Sequence, residues 1–122
     1  MKIAVVGGRS FNNYSFLKNV LHSTIQEEVV KKDQQVSKII SGGATGTDLL
    51  AEKYASEFNL ETTIFLPNWR KFGKSAGVIR NQDIIQNSDI VVAFWDGISR
   101  GTKSSIELSK KYKKKLIIAR YL

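Results

Sequence analysis

A glycine-rich turn near the middle of this sequence has the composition and position of a phosphate-binding site. In the segment Ile39–Asp48, IISGGATGTD, a short apolar strand runs into the turn, and a helix begins directly after it. Gly42, Gly43 and Gly46 lack Cβ atoms, so their amides can approach a ligand closely. The amides of Gly46–Asp48 would lie at the helix N-terminus, where unpaired N–H groups and the helix dipole favour an anion.

A second junction of the same kind follows the predicted strand Ile90–Trp95. Its segment Asp96–Thr102, DGISRGT, contains Gly97 and Gly101 and opens another helix. Glycine amides at such a bend form a cradle for phosphate, while Thr102 is also a good N-cap residue. Two anion-binding turns in one small protein indicate a phosphate-bearing ligand, and a nucleotide is the interpretation that we favour.

Side chains near these turns supply further candidates. Arg80 and Asn81 lie in the early turns of the helical segment AGVIRNQDII, where Arg80 could make a two-pronged contact with phosphate or carboxylate. The alternative for Arg80 is a salt bridge with Asp83 or another surface carboxylate. Asp48 could accept a ribose hydroxyl. Alternatively, Thr45 caps the helix and Asp48 reaches back to the Thr45 amide, which is the arrangement of a capping box.

The segment Asn68–Ser75, NWRKFGKS, ends like a P-loop between a strand and a helix. The P-loop motif requires glycine where Asn68 stands, so triphosphate hydrolysis is not the function that we predict. We expect instead a loop that folds over the site, with Trp69 stacking on a base or ring and Lys74 contacting an anion. The alternative is that Trp69 and Phe72 form a small satellite core.

Glu107 is the only carboxylate of the last predicted helix and is therefore a candidate catalytic base. Lys103 and Lys111 lie four residues to either side, so the alternative is a solvent-facing stripe of ion pairs. The lone histidine, His22, has no partner cluster, and we expect neither a metal nor a cofactor. The predicted catalytic residues are Arg80 and Glu107. The predicted ligand-binding residues are Gly7, Gly8, Arg9, Gly42, Gly43, Thr45, Gly46, Thr47, Asp48, Trp69, Lys74, Arg80, Asn81, Asp96, Gly97, Gly101 and Thr102.

The composition limits the class of protein. The chain has 122 residues, no cysteine and a formal net charge of +8. Disulfides and thiolate metal sites are therefore excluded, and no apolar run approaches the ~20 residues that span a bilayer. We expect a single cytoplasmic domain over residues 1–122. Cations concentrate in Arg70–Lys74 and Lys110–Lys115. They could bind nucleic acid or steer an anionic ligand into the site. For Lys110–Lys115 we favour the alternative, a solvated helix end.

Hydrophobic periodicity predicts strands that alternate with helices. The apolar runs are mostly continuous, as in parallel strands that are buried on both faces. We therefore predict an α/β fold, a Rossmann-like three-layer α/β/α sandwich whose five-stranded, mainly parallel sheet has the order 3-2-1-4-5. Ligands of such sheets bind beyond the carboxyl ends of the strands, at the reversal of strand order between the first and fourth strands. The strands are expected at Ile3–Val6, Lys38–Ser41, Thr62–Leu66, Ile90–Trp95 and Leu116–Ala119, and the last two helices at Ala76–Asn87 and Thr102–Lys114.

Four segments together resemble the SLOG superfamily, which unites the Lonely Guy proteins with DNA-processing protein A. They read GGRSF, SGGATGTDLLAEKYA, PNWRKFGKSAGVIRN and FWDGISRGTKSSIE, and the resemblance covers essentially the whole chain. Within the superfamily, the chain looks most like the small YspA-type members found in bacteria and their phages. The resemblance implies a Rossmann-like fold whose glycine turns bind nucleotides or nucleotide-derived signals, and it implies a dimer or higher homo-oligomer.

The Lonely Guy enzymes cleave the N-glycosidic bond of nucleoside monophosphates with an arginine before the fourth strand and a glutamate in the motif PGGxGTxxE. Arg80 matches the arginine by position. Ser105 stands where the motif places its glutamate, three residues after Thr102, and Glu107 falls on another face of the helix. The proline of the motif is also missing, because this region reads WDGISRGT.

Three functions follow as hypotheses. The first is binding of a nucleotide or nucleotide-derived ligand, for sensing, sequestration or processing of a nucleotide signal. The second is N-glycosidic hydrolysis with Asp48, Asp96 or Glu107 as the acid–base group. The third is DNA binding in the manner of DNA-processing protein A, which the net charge of +8 favours. We expect no membrane partner.

Overall fold

The computed structural model describes residues 1–121, which form one five-stranded sheet and five α-helices. No helix in this range is both long and apolar enough to cross a lipid bilayer. The strands are β1 (Lys2–Gly7), β2 (Lys38–Ser41), β3 (Glu61–Ile64), β4 (Ile90–Trp95) and β5 (Lys115–Arg120). The helices are α1 (Tyr14–Glu28), α2 (Thr47–Glu57), α3 (Trp69–Phe72), α4 (Ala76–Gln86) and α5 (Arg100–Lys111).

All five strands are parallel, and their order is β3-β2-β1-β4-β5. The predicted fold class and strand order are therefore confirmed. β1 lies at the centre, where Ile3 aligns with Ile39 of β2 on one side and with Ile90 of β4 on the other. The side chains of Ile3, Ala4 and Val5 are fully buried, which explains why the strand is a continuous apolar run rather than an alternating one.

Helices cover both faces of this sheet. On one face, Leu17 and Leu21 of α1 and Tyr54 of α2 pack in the same core cluster as Val5 and Val92. On the other face, Ile84 and Ile85 of α4 and Ile106 of α5 form a second cluster with apolar residues of β1, β2 and β4. These two cores make the three layers of a Rossmann-like sandwich, and they fix the strand ends at which the site lies.

Two element boundaries differ from the sequence prediction on the β3 side. β3 ends at Ile64, two residues before the predicted end at Leu66, although the Phe65 amide still donates to the Ser41 carbonyl oxygen at 2.9 Å. The segment Asn68–Ser75, predicted as a loop, forms α3 and a short 3-10 turn. Asn68 caps α3, because its side-chain oxygen accepts a hydrogen bond from the Lys71 amide at 3.1 Å.

The beginning of α5 also differs from the prediction. The helix begins at Arg100, so Thr102 lies inside the first turn instead of at the N-cap position, which Ser99 occupies. The cause is the preceding turn, in which one carboxylate oxygen of Asp96 accepts hydrogen bonds from the Ile98 and Ser99 amides, both at 2.8 Å. This Asx turn brings the chain into the helix three residues earlier than a cap at Thr102 would.

Candidate functional site

A cavity of about 470 Å³ opens at the carboxyl edge of the sheet. It lies at the reversal of strand order between β1 and β4, where ligands bind in sheets of this kind. The end of β1, the turn after β2, one face of α4 and the first turn of α5 surround it. The lining residues are Val6, Gly7, Gly8, Arg9, Gly42, Ala44, Asp48, Gly77, Arg80, Asn81, Ile84, Ser99, Gly101, Thr102 and Ser105.

Arg80 is held in place on one wall of this cavity. Its Nη1 atom donates to the Gly42 carbonyl oxygen at 2.8 Å, and its Nε atom donates to the Asn81 side-chain oxygen at 2.9 Å. No ion pair within 4.0 Å joins Arg80 to Asp83 in residues 1–121, so the predicted salt bridge is absent there. Burial lowers the pKa of the Arg80 guanidinium, an effect that the charge of Asp48 opposes. The remaining N–H groups of Arg80 can therefore serve an anion in the cavity.

The Asp48 carboxylate lies close to Arg80, beside the Gly42 backbone. Its Oδ2 atom accepts a hydrogen bond from the Ala44 amide at 3.1 Å. Burial raises the pKa of Asp48, while the Ala44 hydrogen bond and the charge of Arg80 oppose that increase. A Cβ atom on Gly42 would lie 2.7 Å from Arg80 Nη1 and 3.0 Å from Asp48 Oδ2, so a larger residue there would displace the Arg80 guanidinium.

The predicted capping box is wrong, because Asp48 bonds to Ala44 instead of to the Thr45 amide. Gly46 is the N-cap residue of α2 and has φ +72°, a conformation that glycine adopts readily. The Thr45 hydroxyl donates a long hydrogen bond of 3.4 Å to the Arg9 carbonyl oxygen.

The N-terminus of α2 is attached to the loop after β1. The amide and the hydroxyl of Thr47 both donate to the Gly8 carbonyl oxygen, at 3.2 and 2.9 Å. Because that amide already has an acceptor, we do not assign it to a ligand. Thr47 is fully buried, and Thr45, Gly46 and Thr47 are all absent from the cavity lining. The turn therefore positions the loop after β1 and contributes Gly42, Ala44 and Asp48 to the site.

The N-terminus of α5, in contrast, opens directly into the cavity. The Lys103 amide donates to the Ser99 carbonyl oxygen at 3.1 Å, so the amides of Gly101 and Thr102 precede the first helical hydrogen bond. Ser99 makes no side-chain capping bond to these amides. Gly101 faces open space, since a Cβ atom there would meet no atom within 4 Å. Unpaired amides and the positive end of a 12-residue helix are the features that bind phosphate.

Six of the remaining predicted residues lie outside this lining. Glu107 is exposed on α5, and within residues 1–121 it forms no ion pair shorter than 4.0 Å, so the predicted stripe with Lys103 and Lys111 is not formed. The carboxylate of Asp96 is used in the turn before α5, and the Ser99 and Ile98 amides lower its pKa. The other four are Gly43, Trp69, Lys74 and Gly97.

Trp69 lies next to the rim of the cavity. It is 56% exposed, and its ring approaches Gly77, which lines the cavity, because a Cβ atom on Gly77 would lie 3.7 Å from it. Phe72 is also exposed, so these two aromatic residues do not form the predicted satellite core. Gly43 packs against Leu66 and Ile64, and Gly97 packs against the Arg120 guanidinium.

The sequence interpretation did not include six residues of the lining. Val6 and Ile84 form an apolar floor, and their sequence context resembled that of ordinary core residues. Ser99 and Ser105 each lie one helical turn from Thr102, and that spacing was the available signal. The other two residues are Ala44 and Gly77.

Comparison with known proteins gives the family. The model of a family described as YspA, cpYpsA-related SLOG matches residues 1–72, more than half of the chain. The chain belongs to this SLOG family. The resemblance noted in the sequence is therefore confirmed, and the matched segment includes the end of β1, the turn after β2 and all of α3.

This SLOG chain is similar in sequence to a phage protein and in structure to two DNA-processing proteins. The Gene 61 protein of Mycobacterium phage D29 is 32% identical over 79 residues, which are 60% of this chain and 63% of that protein. DNA processing protein A from Helicobacter pylori, which binds single-stranded DNA in a mode described as unique, matches with a TM-score of 0.68 and 25% identity. The Streptococcus pneumoniae protein of the same name matches with a TM-score of 0.72 and 19% identity.

The SLOG chain covers less than two thirds of each of these proteins. It matches 63% of the phage protein. Of the Helicobacter pylori protein it covers 64%, using 97% of its own length. Of the Streptococcus pneumoniae protein it covers 49%, using 96% of its own length. The structural likeness confirms the Rossmann-like fold. Within the part of the chain that the structure describes, no group of three His, Cys, Asp or Glu side chains lies close enough to hold a metal ion.

Replacing Asp48 with asparagine is expected to stabilise the protein at neutral pH. The folded-state pKa of Asp48 is raised above its ordinary value of 3.8, so ionisation of this buried carboxyl opposes folding, and asparagine keeps the acceptor for the Ala44 amide. The stability that the neutral carboxyl contributes is complete below pH 3.8 and is lost as the pH rises through the folded-state pKa.

Thermal denaturation of both proteins across a pH series measures this effect. The difference in melting temperature should be largest near neutral pH and should vanish as the pH falls below 3.8, the ordinary value for aspartate. A difference that is constant with pH, or that favours the wild type at neutral pH, would contradict the burial argument.

Proposed function

We propose that this protein binds a nucleotide or a nucleotide-derived molecule, with a phosphate group at the N-terminus of α5. The observation that carries the proposal is the shared cavity of the Arg80 guanidinium and the uncapped amides of Gly101 and Thr102. A fixed guanidinium and a helix N-terminus each favour a negative group. Arg9 adds a second guanidinium to the same lining.

The two ends of the cavity differ chemically, which supports a ligand with unlike ends. The α5 end provides amides and the Ser99 and Thr102 hydroxyls, whereas the β2 end provides the Asp48 carboxylate, which repels phosphate and accepts hydrogen bonds. A sugar hydroxyl or the donor edge of a base fits the Asp48 end. The volume of about 470 Å³ is within the range of small-molecule sites and accommodates a nucleoside monophosphate.

Isothermal titration calorimetry against nucleoside mono-, di- and triphosphates, cyclic nucleotides and dinucleotides tests the proposal. We expect at least one compound to bind with a Kd in the micromolar range, on the order of −8 kcal/mol. Inorganic phosphate is the control for binding of the anion alone, and it should bind far more weakly. Absence of binding across the whole panel would refute the proposal.

Replacing Gly101 with alanine is expected to stabilise the protein and weaken nucleotide binding at the same time. Alanine in a helix is more stable than glycine by roughly 0.5–1 kcal/mol, and no atom lies within 4 Å of the new methyl group. The methyl group enters the space where we place the phosphate. Urea denaturation measures the stability, and calorimetry measures the affinity. An increase in stability with unchanged affinity would contradict a phosphate position at the N-terminus of α5.

Binding of single-stranded DNA is a second candidate function, which a different surface favours. Trp69 and Phe72 are exposed, and the same short segment carries Arg70, Lys71 and Lys74. Exposed aromatic rings between cations are typical of surfaces on which bases of single strands stack. The likeness to the Helicobacter pylori protein agrees with this candidate.

A gel-shift titration with labelled single-stranded DNA at several salt concentrations tests this second function. Affinity should fall steeply as salt increases, because phosphate contacts release counterions. Trp69→Ala should weaken the complex, whereas Lys111→Ala, in the distant cation cluster Lys110–Lys115, should change it little. No shift at low salt would exclude this candidate.

N-glycosidic hydrolysis remains a prediction, with Asp48 as its acid–base group. Of the three carboxylates considered for that role, Asp48 lines the cavity, whereas Asp96 and Glu107 do not. A raised pKa suits a general acid near neutral pH. Chromatographic detection of free base released from nucleoside monophosphates would decide the matter, with Asp48→Asn as the inactive control.

A further inference from the structure

A second cavity, of about 410 Å³, lies on the other side of the loop that follows β1. Gly8 and Arg9 of this loop line the first cavity, and the next four residues, Ser10 to Asn13, line the second. The hydroxyl of Tyr121, which lines the second cavity, lies against Gly8 of the first, since a Cβ atom on Gly8 would lie 2.5 Å from it. The second cavity contains none of the residues to which we assign phosphate binding.

Three aromatic rings, those of Phe11, Phe16 and Tyr121, line this second cavity, and the buried Phe94 ring packs behind them. Phe11 is buried and stacks on Phe94 with ring centroids 5.3 Å apart, and it contacts the Tyr121 ring at 4.5 Å. Phe16 meets the rings of Phe11 and Phe94 edge-on, at 6.2 and 6.0 Å. Phe16 and Tyr121 are only half-buried and line the cavity. The wall is therefore rigid and leaves aromatic surface available to a ligand.

Polar groups that lack partners lie beside this aromatic wall. The exposed Asn12 side chain makes no hydrogen bond to another group of residues 1–121. Asn13 uses its side-chain oxygen to cap α1, accepting from the Phe16 amide at 3.0 Å, which leaves its NH₂ group for another acceptor. These two asparagines and the Ser10 hydroxyl provide donors and acceptors along one side of an aromatic surface.

Arg120 completes the lining with a cation whose position is fixed. Its guanidinium stacks on the Trp95 ring at 5.4 Å and packs over Gly97. The Trp95 ring is itself held, because its Nε1 atom donates to the Ser99 carbonyl oxygen at 3.0 Å. Within the described residues, Arg120 forms no ion pair shorter than 4.0 Å, so its N–H groups can face a ligand.

We propose that this second cavity binds a planar heteroaromatic ring with a hydrogen-bonding edge, of the nucleobase type, independently of the first cavity. Aromatic rings offer stacking surface to any planar ring, while side-chain amides and a guanidinium read the edge of a heterocycle. This cavity attracts phosphate less strongly than the first. It has one arginine instead of two, and the nearby N-terminus of α1 is capped by Asn13, whereas that of α5 has no side-chain cap. The proposal rests on different residues from the proposed function and does not depend on it.

Titration with adenosine, guanosine, cytidine and uridine, which carry no phosphate, tests this proposal by ligand-observed NMR. We expect at least one nucleoside to bind with a submillimolar Kd, and Asn12→Ala to weaken that binding by roughly tenfold. Asn19→Ala is the matched control, since Asn19 is exposed on α1 and absent from the lining. Tyr121→Phe removes the hydroxyl at Gly8, keeps the ring and should retain binding.

Arg80→Ala separates this proposal from the proposed function. A nucleoside in the second cavity should keep its affinity within about twofold when Arg80 is removed. Loss of nucleoside binding in Arg80→Ala together with unchanged binding in Asn12→Ala would place the nucleoside in the first cavity and overturn the proposal. Absence of binding for all four nucleosides at millimolar concentration would overturn it as well.

Discussion

Arg80→Ala should weaken binding of the best nucleotide ligand by roughly tenfold to a hundredfold, because a hydrogen bond to a charged group contributes about 1.5–3 kcal/mol. The guanidinium is already oriented by its contacts with the Gly42 carbonyl oxygen and Asn81, so little freedom is lost when a phosphate binds. Arg80→Lys should give an intermediate loss, since lysine keeps the charge but not the planar set of donors. Calorimetry of the three proteins measures these differences.

Two controls accompany the Arg80 variants. Arg70→Ala removes an exposed guanidinium outside the cavity and should leave nucleotide affinity nearly unchanged. Thermal denaturation must show that Arg80→Ala is folded, because the carbonyl oxygen of the buried Gly42 loses its donor. Full nucleotide affinity in folded Arg80→Ala would remove the main support for the phosphate site.

Gly46→Ala should destabilise the protein by about 3 kcal/mol or more, which is a large share of the stability of a small domain. Gly46 has φ +72° and ψ −124°, a backbone conformation that alanine adopts only with strain. A Cβ atom there would also lie 2.5 Å from the Gly8 carbonyl oxygen, against backbone that cannot rotate aside. The midpoint of urea denaturation measures the loss.

Gly73→Ala separates strain from collision in this experiment. Gly73 also has a positive φ, +55°, but a Cβ atom there would meet no atom within 4 Å. Its substitution should therefore cost only the backbone strain, roughly 1–3 kcal/mol. Equal losses for Gly46→Ala and Gly73→Ala would show that the collision with the loop after β1 is relieved at little cost.

The sheet could be predicted from the sequence because its signal is local. Continuous apolar runs such as Ile90–Trp95 are typical of parallel strands buried on both faces. Because helices alternate with these strands and connect them by right-handed crossovers, few sheet topologies are possible. The boundaries were less predictable where side chains override the pattern. Asn68 caps a helical turn inside a predicted loop, and Asp96 begins α5 before the predicted threonine cap.

The convergence of several candidate residues on one cavity agrees with the sequence, while their binding of a ligand stays a prediction. Arg80, Asp48 and Gly101 lie in one cavity, as expected from the position of the strand ends. Thr47 was expected to offer its amide to a ligand, but that amide donates to Gly8, which is 39 residues away in the sequence. The exposure of Trp69 depends in the same way on packing between distant segments, which periodicity alone does not specify, whereas the exposure of Glu107 agrees with its spacing from Lys103 and Lys111.

The indole of Trp95 gives the molecule an internal optical reporter. Its ring is half-buried and contacts a residue of each cavity. The Arg120 guanidinium lies over the ring face, and the Ser99 carbonyl oxygen accepts a hydrogen bond from Nε1. Its emission should respond to the electric field of an arriving ligand, whereas the other indole, Trp69, is open to water and to collisional quenchers. Iodide or acrylamide can therefore distinguish the two signals without any dye or label.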